Sequence, residues 1–184
     1  LEKKIINKII LPTLKFLKQK KSVFKGFLYA GLMIKKQEPY LIEYNVRMGD
    51  PECQTILPLL KNDFFELIES CVKGTLHKIK ISWKNKKSIC VVLTSKGYPE
   101  KYKKNILIKN LDKLTKKNDQ YIFHAGTKIL KEKFFSNGGR VLNFTSINKD
   151  FKTARKEALR LIQKLNWKNG YYRKDIAFKV IEKK

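Results

Sequence analysis

Apolar side chains at Ile5, Ile6, Ile9, Ile10, Leu14 and Leu17 recur at three- and four-residue spacing, which predicts an amphipathic helix over residues 2–20. Pro12 lacks the amide hydrogen that a helix interior needs, so this helix is expected to bend or break there. Two runs rich in aromatic and branched residues, Phe27 to Ile34 and Tyr40 to Val46, flank the turn-like Lys36-Gln37-Glu38-Pro39 and predict a β-hairpin. After Gly49-Asp50-Pro51, Asn62 or Asp63 can cap a helix whose Phe64, Ile68, Cys71 and Val72 share one face, and Gly74 can end it.

Beyond Gly74 the pattern changes to strands, predicted at Lys80 to Trp83, Ser88 to Thr94, Ile106 to Ile108, Tyr121 to Ala125, Thr127 to Leu130 and Val141 to Ile147. Asp150 then caps a helix with Phe151, Ala154, Ala158, Leu161, Ile162 and Leu165 in one stripe, expected to lie on the sheet. Asn169-Gly170 closes it, and Tyr171 to Val180 reads as a last extended segment. The fold class is therefore α+β: a helix, a hairpin and a helix over residues 1–76, followed by a small, mainly β domain with one long helix over residues 77–184.

Composition changes this picture little. No apolar run approaches the ~18 residues of a membrane helix, and Leu1-Glu2-Lys3-Lys4 does not open a secretory signal, so a cytoplasmic address without membrane attachment is expected. An opening that already reads as mid-helix suggests a fragment of a longer protein. Cys53, Cys71 and Cys90 share no metal-ligand spacing and are expected as reduced thiols, Cys71 and Cys90 in core packing. His124, between Phe123 and Ala125, is expected packed and hydrogen-bonded. The formal net charge of +26 raises the alternative of a basic nucleic-acid-binding module, with Tyr98, Tyr102 and Tyr121 stacking on bases. Arginine weighs against it: it occurs only at positions 47, 140, 155, 160 and 173, and scattered lysine carries the rest of the charge. Readers of bases and phosphates favour the planar guanidinium, so no nucleic-acid partner is expected.

The stretch Leu41 to Glu52 carries the chemistry. On a strand, Ile42, Tyr44 and Val46 face one way and Glu43, Asn45 and Arg47 the other. Carboxylate and amide oxygens in register suit a hard cation that takes oxygen ligands and completes its shell with phosphates and water. Arg47 is placed to reach a transferring phosphoryl group. By alternation alone, an ordinary exposed strand face pairing across a sheet is the better reading.

The string Glu43-Tyr44-Asn45-Val46-Arg47-Met48-Gly49-Asp50-Pro51-Glu52 closely resembles the signature of glycinamide ribonucleotide synthetases, members of the ATP-grasp superfamily. The resemblance continues in order through Phe24 to Met33, Ser95 to Pro99, Phe123 to Thr127, Asn137 to Val141 and Tyr171 to Ile176. It implies that residues 1–76 are the end of an ATP-grasp catalytic domain and 77–184 the family's C-terminal domain. It further implies an ATP-dependent ligase joining glycine to 5-phosphoribosylamine through glycyl phosphate in purine biosynthesis, with ATP, glycine and 5-phosphoribosylamine as partners. Glu43 and Asn45 become ligands of Mg²⁺ (or Mn²⁺), Arg47 the catalytic cation, and Asp50, Glu52, Gly138, Gly139 and Arg140 substrate-binding residues. Asn137-Gly138-Gly139-Arg140 reads equally as a hairpin turn. The N-terminal part of such an enzyme would precede Leu1, so the piece is expected to be inactive alone.

The departures from the family pattern are few. Met48 replaces a usual Phe and Cys53 a common Thr. Leu28 to Ile34 holds no acid, where many ATP-grasp ligases place a further metal ligand. Ala177 stands where the family often has Gly, and Asn105 where Lys-Gly is usual, so both turns are expected to differ in backbone angle.

Overall fold

The computed structural model describes residues 1–182, whose packing divides the chain into two compact units. The first comprises Leu1–Gly49 and Lys61–Ser82; the second comprises Asp50–Leu60 and the chain from Trp83 onward. Residues 50–60 thus leave the segment that precedes them and pack with the strands that follow.

The first unit opens with α1 (Glu2–Ile5), a π-helical turn (Ile6–Ile10) and α2 (Leu11–Gln19), which run on as one helical segment. Pro12 does not break it. It lies in the first turn of α2 directly after the π turn, whose wider hydrogen-bond spacing is the usual way a helix absorbs a local irregularity. Strands β1 (Tyr29–Lys35) and β2 (Glu38–Asn45) form the expected hairpin. Its turn is tighter than expected, with only Lys36 and Gln37 outside the strands and both at positive φ, as a two-residue turn between twisted strands requires. The helical segment docks on β2, where the Tyr44 hydroxyl meets Thr13 Oγ1 at 2.8 Å and donates to the Ile9 carbonyl at 3.1 Å. Lys4 and Lys8 pair with Glu38 and hold its carboxyl below the usual carboxylate range.

The next helix in sequence, α3 (Glu52–Ile56), belongs to the second unit. Helix α4 (Phe64–Lys73) returns to the first and is capped as the sequence predicts. Asp63 accepts from the Phe65 and Glu66 amides, and Gly74 ends the helix in the left-handed region. Leu67 is the single buried apolar side chain of the first unit among the described residues.

The second unit is built on an antiparallel sheet in the order β4 (Gln120–His124), β7 (Arg140–Asn148), β3 (Lys87–Ser95), β8 (Gly170–Tyr171). Strands β5 (Thr127–Leu130) and β6 (Lys133–Ser136) pair separately as a hairpin. Helix α5 (Phe151–Leu165), capped by Asp150, lays Ala154, Ala158, Leu161, Ile162 and Leu165 on the sheet against Ile89, Val91, Leu93 and Phe144. The opposite face, carrying Cys90 beside Thr145 and Val92 beside Asn143, is approached by α3. Both faces of β3 and β7 are thereby covered, which is why β7 is buried from Val141 to Ile147 without alternation.

Five elements differ from the expectation. Lys80 to Trp83 and Ile106 to Ile108 are not strands; each makes one bridge, Trp83 with Leu60 and Leu107 with Phe135. Strand β6 was not expected. Helix α5 ends at Asn166 in the left-handed region, ahead of Asn169-Gly170. Residues Tyr171 to Val180 are not extended: after β8 the chain turns and enters α6 (Phe178–Ile181). Asn105 and Ala177 both hold positive φ, 60° and 64°, so these two turns keep a glycine-type conformation without glycine.

Candidate active site

The residues singled out by the sequence fall into two groups, one in each compact unit. In the first unit, Tyr44 points from β2 onto the helical segment, so its neighbours Glu43 and Asn45 project from the other face. They meet there, Asn45 Nδ2 donating to Glu43 Oε1 at 3.1 Å, with Glu43 exposed. Opposite Glu43 stands Gly31, and a Cβ built on Gly31 would lie 3.0 Å from Glu43 Cγ. Glycine across the hairpin therefore leaves the room in which the Glu43 side chain lies.

An oxygen-seeking cation fits this pair. Turning the Asn45 amide about its last torsion presents Oδ1 beside the Glu43 carboxylate, and the O and N of an amide differ only by that rotation. Among the described residues no three His, Cys, Asp or Glu side chains gather as a closed metal cage. Two protein oxygens with the remaining positions left to phosphate and water is a pattern Mg²⁺ accepts. Arg47 is different: β2 ends at Asn45, so alternation does not govern Arg47, whose Nη1 donates to the Met48 carbonyl at 2.8 Å.

In the second unit Arg140, the first residue of β7, reaches a residue ninety positions away. Its Nη1 donates to the Asp50 carbonyl at 2.8 Å, and its Nη2 lies 3.1 Å from Asp50 Oδ2. Asp50 Oδ1 accepts from Gln54 at 2.9 Å, and Thr55 donates to the Pro51 carbonyl at 3.1 Å. The Asp50-Pro51 loop is thus tied to β7 on one side and to α3 on the other, with Glu52 in the first turn of that helix.

Gly138 and Gly139 do not form a hairpin turn, because they connect β6 to β7 and those strands lie in different sheets. Close packing accounts for them. A Cβ on Gly139 would fall 2.1 Å from Tyr98 Cδ2, and one on Gly126 would fall 2.7 Å from the Gly138 Cα. Their carbonyls are engaged too: Gly138 O accepts from Ser95 Oγ at 2.9 Å and Gly139 O from the Ser95 amide at 2.7 Å.

Tyr98, seated over Gly139, leads to two residues assigned no role from the sequence: with Arg140, it lines a cavity of about 310 Å³ beside Pro51 together with Tyr171 and Arg173. The signal was present in the arginines. In a chain whose positive charge is nearly all lysine, each of the five arginines brings a planar fork that lysine cannot supply. Arg155 and Arg160 set theirs on the Lys174 carbonyl and on Glu157, Arg140 and Arg173 on Asp50 and Asp175, and Arg47 on the Met48 carbonyl.

Cys53, Cys71 and Cys90 form no disulfide among the described residues, and burial pushes the Cys90 thiol up to about 11. His124 Nδ1 lies 2.9 Å from Thr127 Oγ1 with its ring against Phe134, and burial lowers its pKa.

Comparison with known proteins gives the family. The sequence model described as "Phosphoribosylglycinamide synthetase, C domain" matches residues 88–179, and that described as "Phosphoribosylglycinamide synthetase, ATP-grasp (A) domain" matches residues 1–53. The chain belongs to the phosphoribosylglycinamide synthetase family. It is 46% identical over 178 residues to a phosphoribosylamine–glycine ligase of Fusobacterium nucleatum, covering 96% of this chain and 42% of the relative. A ligase of the same name from Caldanaerobacter subterraneus is 44% identical over 181 residues, covering 96% and 43%. The crystal structure of the Thermotoga maritima phosphoribosylamine–glycine ligase superposes with a TM-score of 0.78 at 32% identity, over 94% of this chain and 42% of that one. The chain therefore spans about two fifths of the length of these relatives. As in a family of ATP-grasp ligases, the fold is α+β, and no helix among the described residues is long and apolar enough to cross a membrane.

Proposed function

We propose that this chain serves an ATP-dependent ligase of the cytoplasm that joins glycine to 5-phosphoribosylamine, giving glycinamide ribonucleotide, ADP and phosphate for purine biosynthesis. Residues 1–76 contribute the end of the ATP-grasp catalytic domain and residues 77–184 the C-terminal domain, with ATP bound by the parent enzyme. The observation that carries the reading is the pairing of Glu43 with Asn45 on the strand face opposite Tyr44, within the family's signature string. Sequence relatives bearing the ligase name support the substrates.

Glu43 and Asn45 would hold Mg²⁺ or Mn²⁺, and the bound cation would neutralise charge on the ATP phosphates. In the first half of the reaction a glycine carboxylate oxygen attacks the γ-phosphorus, the bond to ADP breaks, and glycyl phosphate forms. Arg47, released from the Met48 carbonyl, offsets the negative charge on the moving phosphoryl group. In the second half the amine of 5-phosphoribosylamine attacks the acyl carbon, phosphate leaves, and the amine gives up a proton. Asp50 and Glu52 serve the acceptor amine. Arg140 and the glycine pair Gly138-Gly139 build the wall of that second site, and Arg140 holds Asp50 in place.

The test is Glu43→Gln in the full-length parent enzyme. The exchange keeps shape and removes the charge that attracts the cation, so glycine- and phosphoribosylamine-dependent ADP release should fall by at least ~100-fold with the fold intact by circular dichroism. Undiminished ADP release in this variant would show that the ligation argued here does not use Glu43.

A further inference from the structure

The sheet face that α3 approaches is polar where a covered face is ordinarily apolar. Alternation puts Ser88, Cys90 and Val92 of β3 and Asn143, Thr145 and Ile147 of β7 on this face, because Ile89, Val91 and Phe144 belong to the cluster beneath α5. Asn143 is 1% exposed, Thr145 0% and Ser88 8%. Their polar atoms are nevertheless unmet: Asn143 Oδ1 and Nδ2, Thr145 Oγ1 and Ser88 Oγ have no hydrogen-bond partner among the described residues. Gln54, on α3, adds another such atom in its buried Oε1, while its Nε2 donates to Asp50.

Neighbours within the sheet cannot supply the bonds. Asn143 stands between Val92 on β3 and Phe123 on β4, and neither side chain has a polar atom. Thr145 stands between Tyr121 and Cys90, whose thiol is a weak partner for the hydroxyl beside it. Buried polar groups are ordinarily paired, so the partner of these groups lies above the strands, in the layer between the sheet and α3. Its chemistry follows from the atoms it must meet. Asn143 Oδ1 and Gln54 Oε1 only accept, Asn143 Nδ2 only donates, and the hydroxyls do either. A cation would satisfy the oxygens and be repelled by the amide NH₂; an anion would do the reverse. Rotating the amide exchanges its two ends and leaves both in need of a partner. Water both donates and accepts, and a buried pocket offering it several polar partners is where it is held.

We propose that the layer between α3 and the β3–β7 face is a binding site for enclosed water, bonded to both ends of the Asn143 amide and to the Thr145 hydroxyl, with Ser88 Oγ and Gln54 Oε1 at its margins. The water joins β7 to the helix whose Gln54 holds Asp50, so solvent, and not side-chain packing alone, seats that helix on the sheet. The site stands on these buried atoms whatever reaction the parent enzyme performs.

The experiment pairs a crystal structure of the 184-residue chain with oxygen-17 magnetic relaxation dispersion, which counts waters held longer than the molecule takes to tumble. Ordered water is expected within about 3.2 Å of Asn143 Nδ2 and Oδ1. Asn143→Leu replaces the amide by an apolar group of similar shape, and its dispersion should lose the equivalent of about one long-lived water or more. Thr145→Val, which removes only the hydroxyl, should lower the amplitude in the same direction, and it stands in if the leucine variant does not fold. A layer closed by direct side-chain contacts, with no water on Asn143 and a dispersion unchanged in both variants, overturns the proposal. So does a peak at Asn143 that scatters anomalously once crystals are moved into a rubidium salt, because it would be an ion.

Discussion

Ala177 and Asn105 show how a single residue can carry a backbone conformation better suited to another. Both hold positive φ, the region glycine enters most readily. At Ala177 the left-handed region precedes α6, and Phe178 donates to the Asp175 carbonyl at 3.1 Å, so the turn is held from both sides. An alanine there carries about 1–2 kcal/mol of strain from its Cβ. Glycine would relieve that strain while adding freedom to the unfolded chain, an opposing term of about 0.4–1 kcal/mol. Ala177→Gly should therefore raise stability by about 0.5–1 kcal/mol, read from the urea midpoint at unchanged slope. A midpoint that falls would mean that the alanine methyl group contributes packing that outweighs the strain. The candidate site was legible at this same scale. Glu43 and Asn45 could be placed on one face because strand alternation and a ten-residue signature agreed, whereas Arg173 could not be placed because its cavity is assembled from segments spread between Pro51 and Ile176.

At the level of elements, what could be read depended on whether an element satisfies its own hydrogen bonds. Helices α4 and α5 carry a cap, an apolar stripe and a stop within one stretch, and both formed where Asp63 and Asp150 placed them. Strands are completed by distant partners. Lys80 to Trp83 and Ile106 to Ile108 have strand-like composition but find a single bridge each, while the short Lys133–Ser136 becomes a strand because Thr127–Leu130 lies across a two-residue turn. The end of α5 was placed late because Asn166, not glycine, adopts the left-handed cap, a role asparagine fills readily. The stripe on α5 is the strongest packing statement in the chain. Leu161 has no exposed surface and lies in the cluster with Val91 and Phe144. Leu161→Ala should cost about 2–5 kcal/mol, since the sheet beneath is covered on both faces and cannot collapse into the space. A loss under ~0.5 kcal/mol by chemical denaturation would show that the helix is not seated as described.

Across the whole molecule the two units are unequally built, and that inequality is measurable. Apart from Leu67, every buried apolar side chain among the described residues belongs to the second unit, where α5 and the sheet enclose a continuous cluster. The first unit relies on a hairpin, its docked helical segment and polar ties such as Thr13 with Tyr44, while Ile42 and Val46 remain 66% and 74% exposed. Hydrophobic burial supplies most of the free energy that resists opening, at roughly 25 cal/mol per Å² of apolar surface, so a unit with little of it opens locally long before the molecule unfolds. Native-state hydrogen exchange on this chain should accordingly resolve two tiers. The amides of β3 and β7 should exchange only through global unfolding, with rates that follow denaturant at the full unfolding slope. Those of β1 and β2 should exchange faster by at least ~100-fold, with a shallow dependence on denaturant that reports a small local opening. A hairpin protected as strongly as β7 would mean that its polar ties and half-buried side chains stabilise it far more than their areas indicate, and the division of stability between the units would have to be redrawn.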